Sequence, residues 1–403
     1  MTVPADDLRA YADLVVRAGA NVEPGQAVQI VGLVEHAELV RALVEAAYRA
    51  GARRVDHRYD DRVIERARIA GAPDDELDRF SGWIERQYAE TVEERRAFIY
   101  VDGEPVPEPY AGLDPARVGR FSAARSRLAI VLPASGQVNW VICAWPVPGW
   151  AEAIYGTPDT ARLWSDLRTI LRLDEPDPVA AWRAHMDELD RRSSSINERG
   201  FRALRFRGPG TDLSVSLHPD ARWSGARFHT KWGREFIPNL PTEEVYTSPD
   251  YRGVEGTVAC TRPVLISGQV VEGLRLRFQD GRISDVQADR GVEIVREQIG
   301  ADEGAARLGE IALVDRASRI GATGLVFHDV LFDENATCHM AWGDSILEAF
   351  DGLPDSREEQ VARGVNRSDV HTDVMIGGPA VTVTGVGADG DEIPVIVDDR
   401  WQL

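Results

Sequence analysis

The sequence has few cysteines and no long apolar run. Its 403 residues include only Cys143, Cys260 and Cys338, which lie too far apart for a disulfide framework or a zinc knuckle. A reducing compartment is therefore expected. No stretch approaches the roughly 20 apolar residues of a membrane helix, and the acidic, amphipathic N-terminus does not resemble a signal peptide. These absences predict a cytoplasmic protein with no membrane partner.

Positive charge is also scarce. The chain has 46 Lys and Arg residues against 66 Asp and Glu residues, a net charge of −20. No basic stripe is available to replace the counterions of phosphates, so no nucleic-acid partner is expected. Neither a GxGxxG loop nor a Walker-type loop follows the first predicted strand, where "GLVEH" at 32–36 is a poor phosphate cradle. The sequence therefore does not predict nucleotide binding.

The length predicts two domains, because 403 residues exceed the usual size of one. "LRAYADLVVRAGANVEPGQAVQIVG" and "HAELVRALVEAAYRAGARRVDHRYDD" each read as a helix followed by a strand, with short connections typical of βαβ units. "RLAIVLPAS" and "VNWVICAWP" are predicted to add buried strands. We therefore predict an N-terminal α/β domain with a parallel sheet over residues 1–195.

The pattern changes after the polar segment "DELDRRSSSINERG". "FRALRFRGPGTDLSVSL" and "PAVTVTGVG" alternate apolar and polar residues, which is typical of strands joined by glycine turns. A helix is predicted at 301–320. Residues 196–403 are therefore predicted to form an α+β domain, and this domain holds most of the residues that could carry chemistry.

The candidate metal ligands follow residue 240, where carboxylates and imidazoles occur in four short segments. They are Glu243 or Glu244 in "NLPTEEVYTSPD", Glu310 in "ARLGEIALV", Glu334 and His339 in "DENATCH", and His371 and Asp373 in "DVHTDVMIGG". A glutamate that enters an apolar run, as Glu310 does, is costly unless it is paired or bound to a cation. Carboxylates with imidazoles suit zinc, manganese, cobalt or iron. Six such ligands fit a two-metal centre, which needs a bridging carboxylate, better than a single zinc.

These segments also carry a family resemblance. "NLPTEEVYTSPDYRGVEGTV", "LGEIALV", "DENATCHMAWG" and "VHTDVMIGG", in this order, resemble the metallo-aminopeptidases of the aminopeptidase T and aminopeptidase S type. The N-terminal "YADLVVRAGANVEPGQAVQIVG" and the central "FRGPGTDLSVSL" are similar too, so the likeness extends over nearly the whole chain. The resemblance implies an enzyme that releases N-terminal amino acids from short peptides.

The resemblance further implies a homodimer that encloses its active site, with two divalent metal ions (zinc, cobalt or manganese) in the C-terminal domain. The implied metal ligands are Glu244, Glu310, Glu334, His339, His371 and Asp373. Glu243 is our candidate for the catalytic group that accepts the proton and passes it to the leaving amine. Apolar surface for the dimer is expected in "VPGWAEAIYG", around Trp150 and Tyr155.

One position departs from the family pattern. The family has a tyrosine seven residues after the histidine that corresponds to His339, and this chain has Ile346 there. Isoleucine cannot donate a hydrogen bond to an oxyanion, and loss of one such donor costs about 2.7–4 kcal/mol. Either Tyr246, Tyr251 or another group replaces the tyrosine, or the substrate is not an ordinary peptide.

Two alternatives follow. One is a hydrolase of the same fold that acts on a small non-peptide amide, as the missing tyrosine would allow. The other is a ring-opening dioxygenase with a single iron, for which His339, His371 and Asp373 would supply the two histidines and one carboxylate of a facial triad. The additional glutamates favour two metals over this second alternative.

Overall fold

The structure, a computed structural model, describes residues 3–106, 108–354 and 356–403. The α-helices in these ranges are α1 Ala5–Leu14, α2 Ala37–Arg49, α3 Arg62–Gly71, α4 Gly82–Glu93, α5 Pro115–Ala129, α6 Val131–Ser135, α7 Pro148–Tyr155, α8 Thr160–Ile170, α9 Pro178–Arg199, α10 Val292–Ile299, α11 Val330–Glu334 and α12 Arg357–Ala362. No helix within the described ranges has the length and apolar character needed to cross a membrane.

The strands of the same ranges form one parallel sheet and several antiparallel sheets. They are β1 Ala27–Leu33, β2 Arg54–Asp60, β3 Ala97–Asp102, β4 Trp140–Ala144, β5 Ala203–Gly208, β6 Thr211–Leu217, β7 Phe228–His229, β8 Glu235–Phe236, β9 Asn239–Leu240, β10 Val245–Thr247, β11 Pro249–Ala259, β12 Val264–Ile266, β13 Gln269–Val271, β14 Arg275–Gln279, β15 Arg282–Gln287, β16 Leu308–Leu313, β17 His339–Gly343, β18 His371–Met375, β19 Thr382–Val386, β20 Glu392–Val397 and β21 Arg400–Trp401.

The chain divides into two compact units. The first comprises the residues up to Met186 together with Ala226–Thr242, and the second comprises Asp187–Gly225 and Glu243–Leu403. The boundary predicted between residues 195 and 196 falls inside α9, a few residues after the division seen here. The sequence pattern gives no sign that residues 226–242 return to the first unit.

The first unit contains the predicted parallel sheet, with strand order β2-β1-β3-β4-β9. Every residue of β1 is buried, as expected for a strand covered on both faces. Helix α2 connects β1 to β2 and buries Leu39, Leu43 and Ala47 at helical spacing. The prediction of strand–helix–strand units in this half is confirmed, and "VNWVICAWP" contains β4 as expected.

Two predictions for the first unit are wrong. "RLAIVLPAS" is helical, because it contains the end of α5 and all of α6. The helix signal lies upstream, where Asp114 caps α5 by accepting a hydrogen bond from the Ala116 amide at 3.0 Å. Trp150, expected at an apolar surface, is 1% exposed and lies in the core of its own unit. Tyr155 is half-buried and donates a hydrogen bond to the Asp166 carboxylate at 2.5 Å.

The second unit is built largely from an antiparallel sheet with strand order β15-β14-β11-β6-β5-β19-β20-β21. The alternation predicted for "FRALRFRGPGTDLSVSL" is confirmed, since Leu204 and Phe206 on β5 and Leu213 and Val215 on β6 are fully buried. Antiparallel pairing of these strands brings Leu204 opposite Val215. The β19 strand predicted in "PAVTVTGVG" pairs with β5 in the same sheet.

The prediction of a helix at 301–320 is wrong. Residues 308–313 form β16, and the helix of this region, α10, ends before residue 301. All six residues of β16 are buried, so the strand lacks the alternation that distinguishes a half-buried strand from a helix. Asp302 starts the connection by accepting hydrogen bonds from the Gly304 and Ala305 amides at 2.8 and 2.9 Å.

Candidate metal centre

The candidate ligands lie on a second antiparallel sheet of the same unit, with strand order β10-β16-β17-β18. Side chains that face each other across antiparallel strands lie on the same side of the sheet. The register brings Ala312 between Tyr246 and His339, and it brings Ala341 between Glu310 and Asp373. On this face of the sheet the two alanines thus separate larger polar side chains.

The opposite face of this sheet is packed against α10. Gln298 of that helix accepts a hydrogen bond from the Trp342 indole at 3.2 Å and another from the Thr372 hydroxyl at 3.0 Å. Trp342 and Met340 are fully buried. Because neighbouring residues of a strand point to opposite faces, anchoring Trp342 and Thr372 fixes the direction in which His371 and Asp373 project.

Ligand atoms from five of the candidates converge in two groups. Glu244, Glu310 and His339 form one group, and Glu310, His371 and Asp373 form the other; within each group the ligand atoms lie within 4.8 Å of one another. His339 Nε2 lies 2.9 Å from a Glu244 oxygen, and His371 Nε2 lies 3.2 Å from a Glu310 oxygen. Glu310 is common to both groups.

The Glu244 carboxylate makes contacts that a cation would explain. Its Oε2 is buried and has no hydrogen-bond partner, although His339 Nε2 is only 2.9 Å away. A buried carboxylate oxygen without a hydrogen bond is costly. Two side chains that bind the same metal ion bring their ligand atoms this close together. Glu244 and His339 therefore fit the ligand set of a metal ion.

The histidines are held in a strongly negative environment. Burial alone would lower the pKa of His339, but the adjacent carboxylates, above all Glu244, raise it to about 10. His371 has a side chain that is 31% exposed, and Asp373 and Glu310 raise its pKa well above the ordinary value against the effect of burial. Protonated imidazoles therefore offset part of the carboxylate charge in the protein alone, and metal binding would release these protons.

Glu334 lies close to both groups without belonging to either. It is buried at the end of α11, and Asn335 Nδ2 donates a hydrogen bond to its Oε1 at 3.3 Å. Burial raises its pKa well above the ordinary value, and the charges of Asp373, Glu244 and Glu310 add to this effect. Burial, and then the charges of Asp373 and Glu244, also raise the pKa of Glu310. The centre therefore concentrates more negative charge than its two imidazoles can offset.

Asn335, which the sequence analysis did not identify, connects two of the acidic segments. This residue is fully buried, and its Oδ1 accepts a hydrogen bond from the Glu243 amide at 2.7 Å. Through its Nδ2 it also donates to Glu334, as described above, and to the Leu331 carbonyl at 3.0 Å. Glu243 itself is 4% exposed and lies directly before Glu244. Asn335 thus fixes the Glu243–Glu244 segment relative to α11.

Position 346, where the resemblance implies a tyrosine and this chain has isoleucine, is fixed by its main chain. The Ile346 amide donates to Ser248 Oγ at 3.0 Å, and Ser248 Oγ donates to the Ile346 carbonyl at 3.2 Å. Tyr246, two residues before Ser248, is 4% exposed. Burial raises the pKa of the Tyr246 phenol well above 10, with further increases from Glu348, Glu310 and Glu244. The phenol therefore lies among carboxylates of the centre.

Comparison with known proteins identifies the family of this chain. The profile of the thermophilic metalloprotease (M29) family matches residues 5–401. The chain belongs to the thermophilic metalloprotease family. It is 42% identical to aminopeptidase T of Thermus aquaticus over 405 residues, which cover 99% of each chain. It is 34% identical to aminopeptidase 2 of Geobacillus stearothermophilus, over 98% of this chain and 97% of the relative.

A solved structure of a relative has the same fold. Wild-type AmpT from Thermus thermophilus superposes with a TM-score of 0.90 at 39% sequence identity, and the match covers 99% of both chains. As a member of the thermophilic metalloprotease family, the chain is a metal-dependent hydrolase with a divalent metal cofactor. The comparisons do not support a ring-opening dioxygenase or a hydrolase of non-peptide amides.

Proposed function

We propose that this metalloprotease is an aminopeptidase with two metal ions, which releases N-terminal residues from short peptides. The observation that carries the proposal is the pair of ligand groups that share Glu310. The relatives named aminopeptidase T and aminopeptidase 2, similar over nearly the full length, support the peptide substrate.

In this proposal Glu244, His339 and Glu310 hold one ion, and Glu310, His371 and Asp373 hold the other. Glu334 is the sixth ligand, supported by its burial beside three carboxylates of the same centre. Zinc, cobalt and manganese all suit carboxylate and imidazole ligands. Two such ions would polarise the scissile carbonyl and lower the pKa of the attacking water.

Glu243 is the proposed proton acceptor. It directly precedes the ligand Glu244, and its main chain is held by Asn335, so the segment has little freedom to move. A buried carboxylate in this position can take a proton from the attacking water and deliver it to the leaving amine. Proton transfer of this kind contributes about 10²–10⁴-fold in rate.

Recognition of a free N-terminus is proposed to depend on carboxylates near the centre. The N-terminal residue of a peptide carries a positively charged amine. Asp373 adjoins the carboxylates of Asp329 and Asp333 and the apolar side chains of Val264, Leu265, Val330 and Met375. We propose that the acidic groups of the centre attract the amine.

We also propose that the enzyme is a cytoplasmic homodimer. Cys143, Cys260 and Cys338 are free, and two of them are buried, as suits a reducing compartment. The dimer follows from the family resemblance alone, because the segment around Trp150 contributes to the core and not to an apolar surface.

The proposal is tested by comparing leucyl dipeptides with a free and an acetylated N-terminus. We expect the protein loaded with zinc, cobalt or manganese to release leucine from the free dipeptide, and the acetylated dipeptide to remain intact. A chelator should stop the reaction, and added metal should restore it. Equal cleavage of both dipeptides, or unchanged cleavage after complete metal removal, would contradict the proposed function.

A further inference from the structure

Tyr246 has a position that the proposed reaction has not yet used. It lies opposite Ala312, and Ala312 lies opposite His339, so the tyrosine and the histidine are on the same face of the sheet with only a methyl group between them. The tyrosine is 4% exposed. Its ring therefore belongs to the layer of side chains that contains the candidate ligands.

The main chain of Tyr246 is fixed on its other edge. Its amide donates to the Ser224 carbonyl at 3.0 Å, and the Ser224 amide donates to the Tyr246 carbonyl at 2.9 Å. Ser224 lies opposite Tyr246 in this antiparallel bridge, so the two side chains are on the same side. Glu244, two residues earlier in an extended segment, projects from the same side of the chain. The main chain that carries the phenol is thus held on both edges before any substrate binds.

The charges around the phenol favour a hydrogen-bond donor. Glu348, Glu310 and Glu244 are the carboxylates whose charges act on it, and two of them belong to the first ligand group. A neutral phenol at such a place can donate to an oxygen that becomes negative. Ile346, in the segment held against Ser248, has no donor in its side chain. Tyr251, the other tyrosine near this segment, packs its ring 4.6 Å from the Arg307 guanidinium.

Resting on the proposed aminopeptidase function, we propose that Tyr246 is a catalytic residue that donates a hydrogen bond to the substrate carbonyl oxygen as it gains negative charge. The phenol keeps its proton throughout, so the step transfers no atom. Loss of one such donor lowers kcat by about a hundredfold to a thousandfold. Tyr246 would thereby supply the hydroxyl that position 346 lacks in this chain.

Tyr246→Phe tests the proposal, because it removes one oxygen atom and keeps the ring. On a leucyl dipeptide, the metal-loaded variant should lose about a hundredfold to a thousandfold in kcat, with metal content and thermal unfolding unchanged. The phosphonic acid analogue of leucine, whose tetrahedral oxygens imitate the transition state, should bind more weakly by a similar factor. Binding of leucine itself should change little. Tyr251→Phe is the matched control and should keep the activity of the wild type.

Three results would overturn the proposal. They are a kcat of Tyr246→Phe within about tenfold of the wild type, unchanged binding of the phosphonic acid, and a loss of activity that follows a loss of metal. If Tyr246→Phe does not fold, Ser224→Ala replaces it, since this variant keeps the tyrosine but removes the hydroxyl of the residue opposite it. Unchanged phosphonic acid binding there would also contradict the role. An inactive wild type would instead contradict the proposed function.

Discussion

Glu334→Gln distinguishes a metal ligand from a structural residue, because the two roles predict opposite changes in stability. Glu334 is buried among carboxylates, and its pKa is raised well above the ordinary 4.5 by burial and then by Asp373 and Glu244. The folded chain therefore retains a proton that the unfolded chain releases, and the metal-free wild type loses stability as the pH rises above about 4.5 towards the raised pKa. Glutamine does not titrate, so Glu334→Gln lacks this pH-dependent loss of stability. It also keeps an oxygen for the hydrogen bond from Asn335.

The metal-bound protein should respond in the other direction. Free metal at about 100 times its dissociation constant stabilises the folded state by about 2.7 kcal/mol. If the substitution weakens binding about a hundredfold, the same metal concentration contributes only about 0.4 kcal/mol. For a unit of this size, 1 kcal/mol corresponds to roughly 2–4 °C in Tm. The metal-dependent rise in Tm should therefore shrink by about 5–9 °C, while the chelated variant is at least as stable as the chelated wild type.

The assay is thermal unfolding at pH 7 with a chelator and with free zinc at about 100 times the wild-type dissociation constant, and Asp333→Asn is the matched control. Asp333 is also buried, and burial raises its pKa to about 6, but its carboxylate accepts hydrogen bonds from the Phe327 and Asp329 amides. The control should lower the Tm of the chelated protein and leave the metal-dependent rise intact. A wild-type metal response in Glu334→Gln would refute the assignment of Glu334 as a ligand.

Three further predictions concern other parts of the account. His339→Ala should reduce both metal content and activity by at least 10–100-fold, because losing a metal ligand costs more than losing a residue that only hydrogen-bonds to a ligand. Full activity with normal metal content would show that His339 is not a ligand. Ile346→Tyr should change kcat/KM on leucyl dipeptides by less than about tenfold, because Tyr246 already provides the donor, whereas a gain near a hundredfold would show that the wild type lacks one. Light scattering should give twice the chain mass of 44.5 kDa, and a fully active monomer would contradict the dimer.

The sequence indicates which candidate side chains lie close together better than it indicates the helices and strands on which they lie. Glu310 and His339 stand out as charged or polar residues within apolar runs, a pattern that remains visible without knowledge of the fold. The strand that contains Glu310 was predicted as part of a helix, because all six residues of β16 are buried and period-2 alternation is missing. Residue type and apolar context thus indicated side chains that lie together in the structure, although the local pattern gave the wrong secondary structure for one of them.

Other features depend on pairing between distant segments. The register that brings Ala312 between Tyr246 and His339 is set by β10, β16 and β17 together, and no local pattern encodes it. Asn335 could have been noticed only as the neighbour of Glu334, since a single amide carries no periodic signal. The return of residues 226–242 to the first unit depends on β9, a two-residue strand that is too short to show alternation.

Metal stoichiometry of the purified, reconstituted protein tests the central claim most directly. Two ligand groups that share Glu310 predict two zinc, cobalt or manganese ions per chain, measured by elemental mass spectrometry against protein concentration. Glu310→Gln, measured beside the wild type, should lose both ions because it removes the shared carboxylate. A wild type that is fully active on leucyl dipeptides with a single ion per chain would contradict the two-metal centre.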